Sequence, residues 1–555
     1  MSKLPEYKHN EAVDFVIIGS GSAGGIMAKE LSTAGFSVVV LEQGPYRKAH
    51  DFTHDEYDVI FREELQGRPR ENAGQTFRHF EHEVAKPKLQ GPAPAHYAST
   101  VGGSSTHFTG NFWRLHEVDF AERSLLGPIS GTNFADWPIS YAELEPYYTK
   151  VDWEIGVSGE PGPFDAPRSR PYPLPPMPVK SSGVIFERAA KKLGLHPQSE
   201  PHAILSKAFN GRPGCISCGH CMWFGCEVNA KSSTLASMIP LAEASGNCEI
   251  RPLSAVFNIK TNERGRASEV EYIDDKGQQR GQKAKAVVVC ANGAETPRLL
   301  LMSANNSHPD GLANSSGFVG RNLMFNAHTG VQLTFDEQLN DYKGVQVTRV
   351  LHDFYDSDEK RGFYGGGGID VRPLFAAHPI IYSMLGVPPE VPTWGAEFKN
   401  YVEHNFTRQM AIVCSTTSLA LDRNNITLDP TSKDILGRPA LRMTYNDHDD
   451  DLAMVKFLQD RAVEIAEVSG ANNYWRGPIG PSSSSPHLLG TCRMGDDPAS
   501  SVVDKDHRCH DIDNLFICDG SSMVTSGRGQ PTQTIMALAF RAADKITAAA
   551  KSGAI

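Results

Sequence analysis

A chain of 555 residues is too long for one ordinary domain and predicts two or three, with ample core. Its 40% hydrophobic and 21% charged residues are globular values, and a net charge of −11 argues against a nucleic-acid binder. No stretch of about 18 apolar residues is present. The start, MSKLPEYKHNEAVDFVIIGS, lacks the basic region, apolar run and small-residue cleavage site of a signal peptide, so the chain reads as soluble and made in the cytoplasm. Of ten cysteines, six lie singly, which is not a secreted disulfide framework.

In chain order, the β-branched run DFVII (Asp14 to Ile18) predicts a buried parallel strand. GSGSAGG follows at once, GIMAKELSTAGF has helical spacing with Gly35 as its stop, and SVVVLEQG is a second strand ending at Glu42. Together they make a βαβ unit. From Asp51 to Ala98 the chain is polar and irregular, an expected excursion over the surface, and VGGSSTHFTGNFW (Val101 to Trp113) is a second glycine-rich turn. A helix is predicted to begin at Ser140, whose spacing to Glu143 is that of a capping box, whereas the proline-rich GEPGPFDAPRSRPYPLPPMP predicts no regular structure. AKAVVVCANGAETPRLLLMS (Ala284 to Ser303) reads as strand, turn, helix. QMAIVCSTTS, NITLDP and PALRMTYN alternate like antiparallel strands ahead of a helix, HDDDLAMVKFLQDRAVEIAEVSG. NLFICDGSSM and QPTQTIMALAFRAADKITAAA supply a last strand and a long terminal helix. The order predicts an α/β protein in which a dinucleotide-binding domain is discontinuous, 10–330 and 485–555, around an inserted mixed-sheet domain at 331–484.

Gly19, Gly21 and Gly24 stand in G-x-G-x-x-G, with a strand before, a helix after and Glu42 at the end of the next strand. Glycines there allow a tight turn and let a pyrophosphate approach the helix N-terminus, and Glu42 is placed to accept hydrogen bonds from a ribose. The motif alone does not separate FAD from NAD. GCISCGHCMWFGC sets Cys215, Cys218, Cys221 and Cys226 at C-x2-C-x2-C-x4-C, within a cysteine-rich insertion at 211–231. That spacing lies one residue from a ferredoxin run and fits an iron–sulfur cluster; free or disulfide-linked cysteines, and zinc without its second knuckle, are the alternatives. His507 and His510, flanking Cys509 in KDHRCHD, read as a surface turn rather than a metal pair.

Four stretches in order resemble the glucose–methanol–choline (GMC) family of FAD oxidoreductases over nearly the full chain. They are the N-terminal βαβ unit, VGGSS (Val101 to Ser105), GAETPRLLLMS (Gly293 to Ser303), and the C-terminal HLLGTCRMG with NLFICDGSSM and PTQTIMALAFRAAD. The resemblance implies FAD as cofactor and a GMC-type discontinuous Rossmann-like FAD-binding domain. Beside it a substrate domain with a mostly antiparallel sheet and helices is implied. Gly102, Gly103, Ser104, Asp519 and Gly520 are then expected next to FAD. His487 is similar to the family's active-site histidine, which would take a hydroxyl proton as hydride leaves for the flavin. Its partner in the family is usually His or Asn; here Gln530 stands in SGRGQPTQT, able to hydrogen-bond a hydroxyl but not to act as a base. His107 resembles the flavin-linked histidine of pyranose oxidases, and is expected either to carry that bond or to neighbour the flavin noncovalently. VGRNLMFNAH (Val319 to His328) resembles a family segment near the active site.

VTSGRGQPTQTIMALAFRAAD is similar to the C-terminal stretch of glucoside 3-dehydrogenases. That resemblance implies a sugar or glycoside substrate, a small exported accessory subunit that would carry the chain to the periplasm, and a cytochrome c acceptor. It also implies a 3Fe-4S rather than a 4Fe-4S cluster, held by three of the four cysteines. A reduced flavin holds two electrons and a cluster passes one at a time, so the cysteines favour a dehydrogenase. The rival is an oxygen-using alcohol or sugar oxidase with structural cysteines.

Overall fold

The structure is a computed structural model, and it describes residues 5–61, 74–88, 92–373 and 375–555. Its largest sheet is built outward from β1 (Val13–Ile18), a run of apolar residues buried on both faces as a central parallel strand requires. On one side lie β2 (Val38–Leu41) and then Cys248–Arg251, both parallel. On the other lies Gln279–Val289, with Leu515–Ile517 beyond it. The strand Gln279–Val289 changes character along its length. Its polar first half pairs antiparallel with Ala267–Ile273, and its apolar AVVV end enters the parallel core beside β1.

The helix α1 (Gly24–Thr33) follows β1, and Gly35, at φ +96°, lets the chain turn back into β2. The helix is packed between the sheet and the terminal helix Thr532–Lys551, which also covers Tyr141–Ile155. Ser140 caps that last helix as its spacing predicts: its Oγ accepts from the Glu143 N–H at 3.2 Å, and its own N–H donates to Glu143 Oε2 at 2.9 Å. The proline-rich segment 159–178 forms neither helix nor strand.

A second sheet has six strands in the order Asn473–Arg476, His328–Thr334, Gln409–Thr416, Gly367–Arg372, Arg349–Leu351 and Gln198–Ser199, every pair antiparallel. Helices Ser181–Lys192 and Asp449–Ser469 bury their apolar faces on it through Phe186, Leu458 and Ile465. The sheet thus recruits a strand and a helix from upstream of residue 331.

NITLDP and PALRMTYN do pair antiparallel, as Asn425–Lys433 with Pro439–Thr444, but not with QMAIVCSTTS. They form a separate three-stranded sheet with Gln75–Arg78, which joins Pro439–Thr444 in parallel and comes from the predicted surface excursion. Alternation specifies that a segment is a strand and which face is buried, not which strand it meets. Residues 62–73 and 89–91 of that excursion lie outside the described residues.

KDHRCHD is not a surface turn. It folds back on the strand Leu515–Ile517, where Cys509 N–H donates to Leu515 O at 2.9 Å and His507 Nδ1 lies 2.9 Å from Ile517 O. His507 and Cys509 are buried there as structural side chains, and His510 pairs with Ser501 Oγ.

Candidate active site

A cleft of about 1190 Å3 opens at the carboxyl ends of β1 and Gln279–Val289. Strand order reverses there, which is where open parallel sheets bind ligands. That space is open to solvent, and its lining takes in Glu42, Gly19, Gly103, Asp519 and His487.

Gly19 has φ +90°, and a Cβ on it would lie 2.5 Å from the Cys290 carbonyl oxygen. Gly24 is as tightly held, since its Cβ would meet Gly19 O at 2.0 Å. The second glycine turn meets the first back to back: a Cβ on Gly103, at φ +54°, would lie 2.7 Å from Gly21 Cα. Gly102 stands behind the wall, its N–H donating to Ser20 Oγ at 3.0 Å, while Ser104 faces the cleft and accepts from Ala98 N–H at 3.1 Å.

No side chain caps α1 at Ala23 and its first turn carries no acid, so its positive end is left for an anion. Glu42 is buried at the cleft wall, but its carboxylate is engaged by protein. It accepts from Ser20 N–H at 3.1 Å, Ser20 Oγ at 2.7 Å and Gly44 N–H at 2.9 Å. Burial raises its pKa, and these bonds act against that rise.

Across the cleft, Asp519 accepts from Asn292 N–H at 3.1 Å, Thr296 Oγ1 at 2.6 Å and Ser521 N–H at 2.8 Å. A Cβ on Gly293 or on Gly520 would crowd the Leu488 carbonyl, at 2.0 and 2.6 Å, so these two glycines set the backbone next to His487. The bare helix end, the facing glycine turns and the long cleft fit a dinucleotide of FAD type.

His487 lines the same cleft. Its Nδ1 lies 3.0 Å from Asn326 Oδ1. The amide's orientation follows from its other contacts: Asn326 Nδ2 faces the carbonyls of Thr416, Ser526 and Gly527 at 2.9, 3.3 and 2.9 Å, and carbonyls only accept. Oδ1 is therefore the acceptor, Nδ1 carries the proton, and Nε2 keeps its lone pair. Burial, His328 and Arg372 push His487 well below the ordinary histidine pKa, which keeps that lone pair free. His328 is its ring neighbour, at 5.3 Å between centroids.

Gln530 does not join His487 at the cleft wall. It is half-buried and makes no hydrogen bond among the described residues, and the next two residues, Pro531 and Thr532, line the cleft instead. The loop carrying it is anchored by Arg528, which is fully buried against Asp119 and Glu122. His107 is not on the cleft wall either. Its ring is buried against Phe52, and its carbonyl accepts from Trp223 N–H at 2.9 Å, which ties the second glycine turn to the cysteine loop.

Within that loop the charges of Cys221, Cys226 and Cys218 act on Lys231 and oppose the fall in its pKa that burial causes. Its buried ammonium donates to the carbonyls of Cys221, Phe224 and Phe108 at 2.8, 2.7 and 2.9 Å. Burial pushes Cys221 up to about 12, and the Lys231 charge opposes that rise. Backbone N–H groups of Ser217 and Lys231 donate to Cys215 and Cys226 Sγ at 3.3 and 3.5 Å. A buried cation and backbone donors aimed at sulfur suit metal-bound thiolates.

Asn326 and Lys231 are the site residues that sequence reasoning passes over. Asn326 lies inside the family-like VGRNLMFNAH, which was its only available signal, and Lys231 has none beyond following the cysteines.

Models of the N- and C-terminal parts of the GMC oxidoreductase family match residues 13–328 and 420–539. The chain is 34% identical to 2-methyl-1,2-propanediol dehydrogenase of Mycolicibacterium austroafricanum, over 97% of this chain and 95% of that protein. It is 30% identical to the fructose dehydrogenase large subunit of Gluconobacter japonicus, over 98% and 99% of the two chains. Among solved structures, pyridoxine 4-oxidase from Mesorbium loti superposes with a TM-score of 0.65 at 19% identity, covering 96% of this chain and 98% of that one, a likeness of fold.

Proposed function

This chain belongs to the GMC oxidoreductase family, and on that premise we propose that it is an FAD-dependent dehydrogenase oxidising a hydroxyl of a sugar or glycoside. The observation that carries the reading is the His487–Asn326 pair at the end of the dinucleotide cleft. His487 Nε2 receives the hydroxyl proton, and Asn326 holds the ring in the tautomer that can do so. Bound FAD, held by the two glycine turns and the start of α1, supplies the hydride acceptor at its N5. Arg372, paired with Asp370 at 2.7 Å, disfavours an imidazolium at rest. Gln530 is left as a hydrogen-bonding residue at most, so the proton falls to His487 alone.

Relatives named for fructose and gluconate oxidation support a sugar, and the resemblance to glucoside 3-dehydrogenases makes the C3 hydroxyl the proposed position. Three of Cys215, Cys218, Cys221 and Cys226 would hold a 3Fe-4S cluster, whose chemistry is one-electron transfer toward a cytochrome-type acceptor. Relatives named as a large subunit and as a flavoprotein of a dehydrogenase support an accessory subunit, and with it co-export to the periplasm.

Anaerobic bleaching of the flavin tests the substrate. Sugars or glycosides are expected to bleach it and to leave a 3-keto product, and His487→Ala is expected to keep FAD yet not bleach. Bleaching by 1,2-diols alone would refute the sugar assignment. Iron and acid-labile sulfide are expected in protein purified without air; if both are absent and oxygen supports turnover, the protein is an oxidase.

A further inference from the structure

Away from the cleft, His54, Cys218 and His220 bring one ligand atom each within 4.8 Å of the other two. We propose that these three side chains form a mononuclear metal site of zinc type, distinct from the iron–sulfur ligands, that pins the segment around His54 to the cysteine loop.

The two imidazoles stack face to face, 4.2 Å between centroids and 2° between planes, so sharing one ion requires one ring to turn about its side-chain bonds. His220 Nδ1 lies 3.0 Å from the Cys218 carbonyl oxygen, which can only accept. That nitrogen therefore carries the proton and Nε2 keeps a lone pair, the arrangement by which a backbone carbonyl orients a metal-binding histidine. His54 Nε2 is buried with no hydrogen-bond partner among the described residues.

A third imidazole, His378, packs 4.8 Å from His220. It is 1% exposed, and neither ring nitrogen has a hydrogen-bond partner among the described residues. Burying a polar group without a partner is unfavourable. A cation with tetrahedral preference for imidazole and thiolate satisfies His54 Nε2, while His378 lies outside the group whose ligand atoms share one site.

The neighbouring backbone is already close enough for such a clamp: a Cβ on Gly225 would run into the Phe52 ring at 2.0 Å. A three-iron cluster needs three thiols, so Cys215, Cys221 and Cys226 suffice for it and the two centres can be tested apart.

Full-length protein is exposed to Zn2+ or Co2+, freed of excess metal, and assayed for zinc, cobalt, iron, sulfide and flavin. One zinc per chain is expected to be retained, and Co2+ to show thiolate-to-cobalt charge-transfer absorption. His54→Gln and His220→Gln are each expected to weaken zinc retention by at least the ~10-fold that loss of an outer-shell partner causes. Their iron, sulfide and flavin should stay unchanged, which also reports a folded chain. Cys221→Ser should show the reverse, iron lost and zinc kept. Failure of the wild type to retain either ion overturns the proposal, as does full retention by both histidine variants. Loss of iron from those variants also overturns it, by assigning the histidines to the iron–sulfur ligand set.

Discussion

Replacing Asn326 by leucine keeps much of its size but removes the oxygen that accepts from His487 Nδ1. A buried N–H left without a partner costs about 1–3 kcal/mol, and the ring is freed to adopt the other tautomer. Asn326→Leu is expected to lower the rate of flavin reduction by roughly 10- to 100-fold, with FAD still bound, as read by stopped-flow absorbance. In the unaltered protein, burial, His328 and Arg372 hold His487 below the ordinary value of 6.5. The acidic limb of kcat/KM is therefore expected below pH 6.5, and a limb at or above it would show that His487 is not the base. The place of His487 on the cleft agrees with the family resemblance of SPHLLGTCRMG; its partner was not legible, because nothing local to residue 326 says which side chain its amide meets.

At the scale of elements, two glycines of the same βαβ unit separate crowding from strain. Gly19 and Gly35 both have positive φ, but a Cβ on Gly19 collides with Cys290 O, whereas one on Gly35 meets nothing within 4 Å. Gly19→Ala should therefore yield protein with little bound flavin, and Gly35→Ala should keep its flavin and lose about 1 kcal/mol of stability. Absorbance of the purified proteins and denaturant titration read the two effects.

The loop before the terminal helix depends on a different device. Arg528 pairs with Asp119 at 3.2 Å and with Glu122, and its guanidinium also donates to Tyr355 O and Ser357 Oγ. Removing one member of a buried ionic cluster costs about 3–5 kcal/mol. Arg528→Met is expected to lower the thermal midpoint by several degrees; an unchanged midpoint would mean the acids are neutral in the native state. The cluster was not legible, since SGRGQPTQT shows an arginine but not the acids more than 400 residues upstream.

For the whole molecule, buried neutral histidines make stability depend on pH. Burial lowers His202 and His507 from 6.5 to about 4, and both are inaccessible to solvent. The unfolded chain binds a proton at each below about pH 6.5 and the native state does not. Their contribution is thus fully present above pH 6.5 and lost progressively as pH falls toward 4, by a few kcal/mol each at most. Denaturant midpoints are expected to be flat from pH 8 to 7 and to fall between 6.5 and 4. A His507→Gln variant should show a shallower fall.

The βαβ unit, the capping box at Ser140, the strand–turn–helix at Ala284 to Ser303 and the terminal helix were all readable in the chain, because each follows from spacing within a few turns. The glycine turns were readable for the same reason, whereas His487 came from the resemblance of HLLGTCRMG to a known family. Which strands share a sheet was decided by tertiary structure, and Gln75–Arg78 joins Pro439–Thr444 only because packing brings them side by side. Packing likewise gave His487 its Asn326, buried His507 and Cys509 of KDHRCHD, moved His107 off the cleft wall and set His54 against Cys218 and His220. A residue's own chemistry and its nearest neighbours are written along the chain; the partner that orients a proton or shares a metal comes from a distant segment.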